Sequence, residues 1–530
     1  MSKNTAFPSI LAMEKNKGGI TMKRSLLKMI ATVTMLAVCL GAASCSKKKD
    51  AATEKLEITV GITQEPTVFD PHTVVAAGDK EILFNIFEGL YKFGPDGSLN
   101  PCLATDVEIS DDAKTYTFTL REGVKFHNGN AMDADDVVYS LKRASGLLEG
   151  SDGTALVRGL EGISEITKTD DGKVKVVLSS PDSEKLSYFT VGIVPDEVED
   201  PGTDIIGTGP FKFSSYEIGQ SVVIEKNADY WGTQAYADTV TFKICSDMDS
   251  GFIELENGTI DIFPYLTTEK AGRLDPEKFD VLSKGSDMVQ IFALNNDVEP
   301  FNDANVRRAV NLALNRDDII ALTMDGAGLP LTTGMSPVIG EAYDKSVDGA
   351  FDQDIEQAKK LLEEAGYKDG FDMTITVPSN YLIHVDTAVA IADQLSKIGI
   401  NAQIEQVDWA TWLEDTYQGR NFQSTVIALT SDFAPYDILS RYDSENDGNF
   451  INYRNDEYDR IIREIPLSSD EDAKIEMYHE LCRILVEDAA SCYIQDPYNT
   501  VAVNKRLTGY EVYPMYVQDM ARVKLADTEN

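Results

Sequence analysis

Between residues 302 and 486 the apolar residues switch repeatedly between helical and strand spacing, and this alternation constrains the fold more than any other feature. Asn302 to Leu314 puts Val306, Ala309, Val310 and Ala313 on one side of a helix. Ile355, Ala358, Leu361, Leu362 and Ala365 mark a second helix, closed by Gly366. Met373 to Val377 alternates as a strand, Ala388 to Ile398 returns to helical spacing, and Asn401 to Val407 alternates again. A further helix over about 470–486 uses Ile475, Tyr478, Leu481 and Leu485. That order predicts an α/β layer on a mostly parallel sheet. The first half carries more strand: Leu56 to Val60, then 106–120, where Tyr116, Phe118 and Leu120 share one face. A helix capped by Asp133 follows, with Val137, Val138, Leu141 and Ala144. A chain of 530 residues has room for at least two large lobes of this kind.

Charge separates the front of the chain from the rest. Residues 1–44 hold six basic residues and one acid, Glu14. From Cys45 onward there are 42 basic and 87 acidic residues, a net of −45. So negative a body repels phosphates, which argues against a nucleic-acid partner. At the front, the basic run Met22 to Lys28 leads into an apolar stretch ending at Leu40, and Gly41-Ala42-Ala43-Ser44-Cys45 follows. Basic, apolar and small-residue regions in that order predict an export signal. No later segment reaches about 18 uninterrupted apolar residues, so the exported protein is expected to lack a transmembrane helix. Residues 1–21 fit neither signal nor domain, and translation is expected to begin at Met22. Four cysteines follow Cys45, at 102, 245, 482 and 492; none forms C-x-x-C, and sequence leaves any pairing open.

Several blocks carry a family resemblance. They are Phe87-Glu88-Gly89-Leu90-Tyr91, Tyr116 to Phe126, Asp136 to Ser140, Gly207-Thr208-Gly209-Pro210-Phe211, Asn227 to Gly232, Asn305 to Val310, and Ala358 to Tyr367. In this order, over about residues 56–515, the chain resembles the extracellular solute-binding proteins of ABC importers, in the class with oligopeptide-, dipeptide- and nickel-binding members. The resemblance implies an α/β fold, periplasmic-binding-protein-like (a Venus flytrap), with two large α/β lobes and a smaller inserted lobe. Residues 1–44 would be leader and signal peptide and 45–55 a tether. Lobe I would be 56–95 with 203–285 and 505–530, the inserted lobe II 96–202, and lobe III 286–504. Hinge crossovers would lie near 285–290 and 500–505.

Ala42-Ala43-Ser44-Cys45 resembles a lipobox, although Ala42 stands where Leu is preferred. Lipidation at Cys45 would anchor the protein to the bacterial envelope, facing the extracytoplasmic side; the alternative is an ordinary cleaved signal. The implied partners are a peptide or other small-molecule ligand, ABC permease subunits in the membrane, and the membrane itself through the lipid. The protein would be a monomer with no cofactor and no catalytic residue.

In peptide-binding relatives an acidic residue of lobe III holds the ligand's amino group within a Gly-Trp-x-x-Asp segment. The matching segment here is Ala428-Leu429-Thr430-Ser431-Asp432, followed by Phe433. Asp432 would suit a ligand ammonium, or it is a loop or capping Asp; Leu429 and Phe433 would line the site beside it. Trp409 matches a cleft-lining aromatic, with plain core packing as the alternative. Other chemistries fare worse. His479-Glu480-Leu481-Cys482-Arg483 lacks the second His of a zinc helix, and Arg454 stands where a calcium loop from Asp443 needs Glu. The rival readings are an exported hydrolase, a binding protein feeding a sensor, and an importer subunit for an oligosaccharide or metal complex.

Overall fold

The computed structural model describes residues 55–74, 76–431 and 433–526. The leader, the start at Met22, the lipobox at Cys45, most of the tether and Asp432 therefore lie outside the described residues.

Along the chain, β1 (Glu57–Ile62) leads to α1 (Ala77–Leu83) and the hairpin β2 (Tyr91–Phe93) and β3 (Leu99–Pro101). Next come β4 (Ala104–Ile109), β5 (Thr115–Leu120), α2 (Ala134–Ala144), β6 (Ile163–Lys168) and β7 (Val174–Leu178). These four strands make an antiparallel sheet in the order β4-β5-β7-β6. The 115–120 alternation holds: Tyr116 and Phe118 are fully buried and Leu120 packs at the edge of the same core. α2 begins at Asp133 with a reciprocal capping box, Asp133 accepting from the Asp135 N–H and Asp136 accepting from the Asp133 N–H. Val137, Leu141 and Ala144 seat the helix on this core, which is the smaller inserted lobe.

The chain then returns to the first large lobe through β8 (Phe211–Glu217), β9 (Ser221–Lys226), β10 (Thr239–Ile244), β11 (Ile262–Phe263) and β12 (Phe279–Gly285). β1 lies parallel between β10 and β11, Val60 opposite Phe242 and Ile262. The second large lobe has β13 (Met288–Leu294), α3 (Ala304–Ala313), β14 (Gly328–Pro330), α4 (Ile355–Glu364), β15 (Phe371–Pro378), α5 (Leu382–Ser396), β16 (Ile400–Val407) and β17 (Ser424–Thr430). After them come α6 (Pro435–Ser440) and α7 (Glu471–Glu487). α3 and α4 bury the apolar stripes read from the sequence, α3 with Val306, Ala309, Val310 and Ala313 all at 0% exposure. α5 starts six residues before the expected Ala388; nothing but Tyr381, which makes no side-chain cap, marks its start.

One expectation fails. The second-lobe sheet is mixed and not mostly parallel: β15 runs parallel to β16 and β17, but β13 lies antiparallel to β17 and to β18 (Cys492–Asn504). β13, which carries the chain into the lobe, runs against the helix-linked strands, whereas β18, antiparallel to β13, runs in their direction. Periodicity reports which face of a strand is buried and is blind to its direction.

β18 joins the lobes. Its first residues pair with β13, and Tyr498 to Asn504 pair with β12, with Val503 and Ala502 also facing β11. The switch occurs at Asp496–Tyr498, a few residues before the 500–505 region expected for it. On the facing path, Ser286 and Asp287 separate β12 from β13, and Asp287 takes a left-handed φ of +54°. Asp496 is fully buried here and accepts from Ser286 N (2.8 Å), Ser286 Oγ (3.0 Å), Met288 N (3.3 Å) and Ser336 Oγ (2.5 Å). Burial raises its carboxyl pKa, against the pull of these donors.

Candidate ligand-binding cleft

Elements from all three bodies enclose a cavity of about 490 Å³. The first lobe contributes Phe84, Phe87, Glu88 and Lys92, from the end of α1 to β2, and Tyr516 near the C-terminus. The insert contributes Leu156, Val157, Arg158 and Tyr188, and the second lobe Ser431, Ala434 and Asp437. The walls are therefore apolar and aromatic with a few charges of both signs, a composition suited to a small zwitterionic or mixed-polarity solute.

Glu88 explains why separate sequence blocks belong together. Its carboxylate, 2% exposed, accepts from Thr208 Oγ1 (2.9 Å), Tyr230 Oη (2.6 Å) and Trp231 Nε1 (2.9 Å). One buried anion thus ties the 87–91 block to the 207–211 turn and the 227–232 segment. Burial and then the Glu88 charge push both the Tyr230 phenol and the Cys102 thiol upward. Gly207 and Gly209 let that turn approach α1's end: a Cβ on Gly207 would lie 2.1 Å from the Ile86 carbonyl oxygen. Lys92 lies over the Phe84 ring at 4.0 Å. Lys92, Phe93 and Glu88 also border a broader recess of about 1500 Å³ that holds Trp231 and Arg121.

In the cavity wall, His72 bridges first lobe and insert. Its Nε2 meets the Gly192 carbonyl at 2.8 Å, and its Nδ1 meets Arg143 Nη1 at 2.8 Å. Arg143 also forks onto Asp70 (2.9 and 2.6 Å). Burial lowers the His72 pKa to about 4, so the ring is neutral, with Nε2 as donor and Nδ1 accepting from Arg143.

On the second-lobe side, Asp287 fixes the segment after β17: its carboxylate accepts from Ser431 Oγ (2.7 Å) and from the Phe433 N–H (2.8 Å). Phe433 is buried, with φ at +59°, and its ring lies 5.8 Å from that of Phe93 across the lobe boundary. Leu429 is half-buried on β17 opposite Val289 and packs on the second-lobe core. Trp409 is 39% exposed and stacks on Trp412 at 5.2 Å, with Tyr381 edge-on at 5.3 Å. Neither Trp409 nor Leu429 borders the cavity, whereas Ser431 and Ala434 on either side of Asp432 and Phe433 do.

The sequence reading missed Arg158, Tyr188 and Asp437. Asp437 accepts from Arg158 Nη2 at 2.9 Å and from the Tyr188 hydroxyl. These residues lie some 250–280 positions apart and no local motif marks them; only the folded chain brings them to one wall.

The remaining motif candidates are occupied by protein. Asp443 holds the Arg463 guanidinium (3.0 and 2.6 Å) and Arg454 pairs with Asp297, so the calcium-like loop is built from ion pairs. His479 Nε2 meets the Glu341 carbonyl at 2.8 Å. Asp136, Asp196 and Glu197 bring three carboxylates together, but Asp136 caps α2 and Glu197 accepts from Asn128 and Asn130. Cys102, Cys245, Cys482 and Cys492 are free and buried. Among the described residues no helix is long and apolar enough to cross a membrane.

Two α/β lobes on shared strands, with a cavity between them and a third body closing over it, define a clamshell solute-binding protein. The model of the bacterial extracellular solute-binding proteins, family 5, matches residues 98–450, and the chain belongs to that family. It is 27% identical to the oligopeptide-binding protein AppA of Bacillus subtilis, over 93% of this chain and 97% of that one. It is 27% identical to the dipeptide-binding protein of Escherichia coli, over 85% and 90%. The fold is similar to that of HbpA2 from Haemophilus parasuis, with TM-score 0.81 and 24% identity over 89% of this chain and 100% of that one.

Proposed function

We propose that this protein is the lipid-anchored solute-binding subunit of an ABC importer, that it captures a peptide between its lobes, and that it delivers the peptide to membrane permease subunits. The observation that carries the reading is the cavity walled by three bodies above a single continuous strand. Such a site needs no catalyst; it needs a ligand that touches both lobes, because only differential contact favours the closed state over the open one. Lys92 and the aromatic walls supply complements for a peptide's carboxylate and side chains. Relatives named for oligopeptides and dipeptides support the same class.

In this reading lobe I is 56–95 with 203–285 and 505–530, the insert 96–202 and lobe III 286–504, and closure bends the chain at Ser286–Asp287 and along Asp496–Tyr498. Asp432 anchors the ligand ammonium, in a stretch whose neighbours Ser431 and Phe433 are held by Asp287. Cys45 carries the lipid. Native mass spectrometry of gently purified protein, followed by identification of the released ligand, tests the class: a bound peptide is expected, and an oligosaccharide or metal complex would refute it. Unchanged peptide affinity in Asp432→Ala would remove the ammonium anchor alone. Metabolic labelling with palmitate should mark the wild type and not Cys45→Ala.

A further inference from the structure

The insert does more than cover the cavity; it is bolted to the second lobe on one side of it. Tyr188 and Arg158, both of the insert, meet Asp437 of α6 in the cavity wall. Outside that wall, Glu184 accepts from Lys474 Nζ (2.6 Å) and Tyr478 Oη (2.8 Å) of α7. Beside it Ser183 Oγ donates to the Ile465 carbonyl (3.3 Å). Lys474 is only 4% exposed, so this outer row is dry on its second-lobe side. The Tyr188 ring is itself held in place. It lies against Gly159, where a Cβ would come within 2.0 Å of its Cδ1 and where φ is +87°. Lys185 Nζ lies 5.6 Å from the ring centroid and donates to the Gly159 carbonyl at 2.8 Å.

A rigid ring, fixed on one body and bonded to another, makes a wall that a ligand cannot push aside without breaking the bonds between the bodies. We infer that Tyr188, with Arg158, sets the upper limit on the length of ligand this cleft accepts. The inference rests on the peptide reading above. A chain short enough to end before Tyr188 leaves both rows of contacts intact. A longer chain must displace the ring and separate Asp437 from Arg158, losing the contacts that favour closure. The specificity is therefore subtractive, through what the longer ligand breaks.

The test presents equimolar random-sequence peptide pools of two, three, four, five and six residues to the full-length protein and reads the retained lengths by native mass spectrometry. The wild type is expected to show a cut-off, with retention falling at least tenfold between one length and the next. Tyr188→Ala should move the cut-off to longer peptides by at least one residue. Tyr188→Phe keeps the ring and loses the bond to Asp437; it should make the fall at the cut-off shallower, because a longer ligand then breaks less, while shifting it less than Tyr188→Ala does. Arg158→Ala changes a side chain that is 57% exposed and does not threaten the core; it should shift the cut-off in the same direction as Tyr188→Ala. Retention without a cut-off in the wild type, or the same cut-off in wild type, Tyr188→Ala and Arg158→Ala, overturns the inference and leaves the peptide reading standing. A wild type that retains no peptide of any length overturns both.

Discussion

Glu88→Ala should loosen the joint on which the first lobe and the cavity floor both depend. The carboxylate accepts from Thr208, Tyr230 and Trp231, and truncation leaves those donors facing an empty, largely dry space. A buried donor without an acceptor costs about 1–3 kcal/mol. The three are not equivalent: Thr208 is fully buried, while Tyr230 and Trp231 are half-exposed and can turn towards water. A total loss of about 3–5 kcal/mol follows. For the roughly 470 described residues the unfolding entropy is about 1 kcal/mol per kelvin, so Tm should fall by about 3–5 °C if the lobes unfold together. Glu88→Gln separates charge from hydrogen bonding. Its carbonyl oxygen can keep Thr208 and Trp231, and its amide can donate to the Tyr230 hydroxyl, so the expected loss is about 1–2 kcal/mol. Differential scanning calorimetry of both variants and of the Glu88→Gln/Tyr230→Phe pair supplies the cycle. A fall of less than 1 °C in Glu88→Ala, or equal damage from Ala and Gln, would refute the reasoning.

Two further outcomes follow from buried charges. Burial raises the Glu81 pKa to about 7 against a hydrogen bond from the Tyr265 hydroxyl; a raised folded-state value gives stability that is complete below the unfolded pKa of about 4.5 and lost as pH rises through about 7. Between pH 6 and pH 8.5 the wild type should therefore lose about 1–2 kcal/mol that Glu81→Gln does not, as read from urea unfolding at the two pH values; parallel losses would contradict this. Arg316 is buried and donates to the carbonyls of Leu331 (2.8 Å) and Tyr493 (2.6 Å) and to Asn311 Oδ1 (2.9 Å). Arg316→Met should cost about 3–5 kcal/mol, and Arg316→Lys should not restore it, because an ammonium cannot span the same fork.

Local pattern made the helices legible. α3, α4 and α7 bury the stripes that their spacing announces, and Asp133 caps α2 as its position before the first apolar turn implies. Less was legible where partners are distant in sequence. Nothing around Cys492 to Asn504 tells that one run of apolar residues serves two lobes, since both halves are simply buried strand. The cleft was read least. The blocks near 88, 208 and 230 were visible as blocks, but not that a single carboxylate joins them. The Asp437–Tyr188–Arg158 wall has no sequence signature at all, because its residues sit on ordinary surface elements that only the closed arrangement brings into contact.

The continuous β18 has a consequence for how the molecule can be taken apart. Each large lobe completes its sheet with half of the same thirteen-residue strand, so neither lobe could be expressed alone without an unpaired edge. Fragment complementation by cutting between the lobes should therefore fail within β18. A circular permutant opened at an exposed turn, such as Asn128–Gly129 in the insert, keeps the strand whole and should fold.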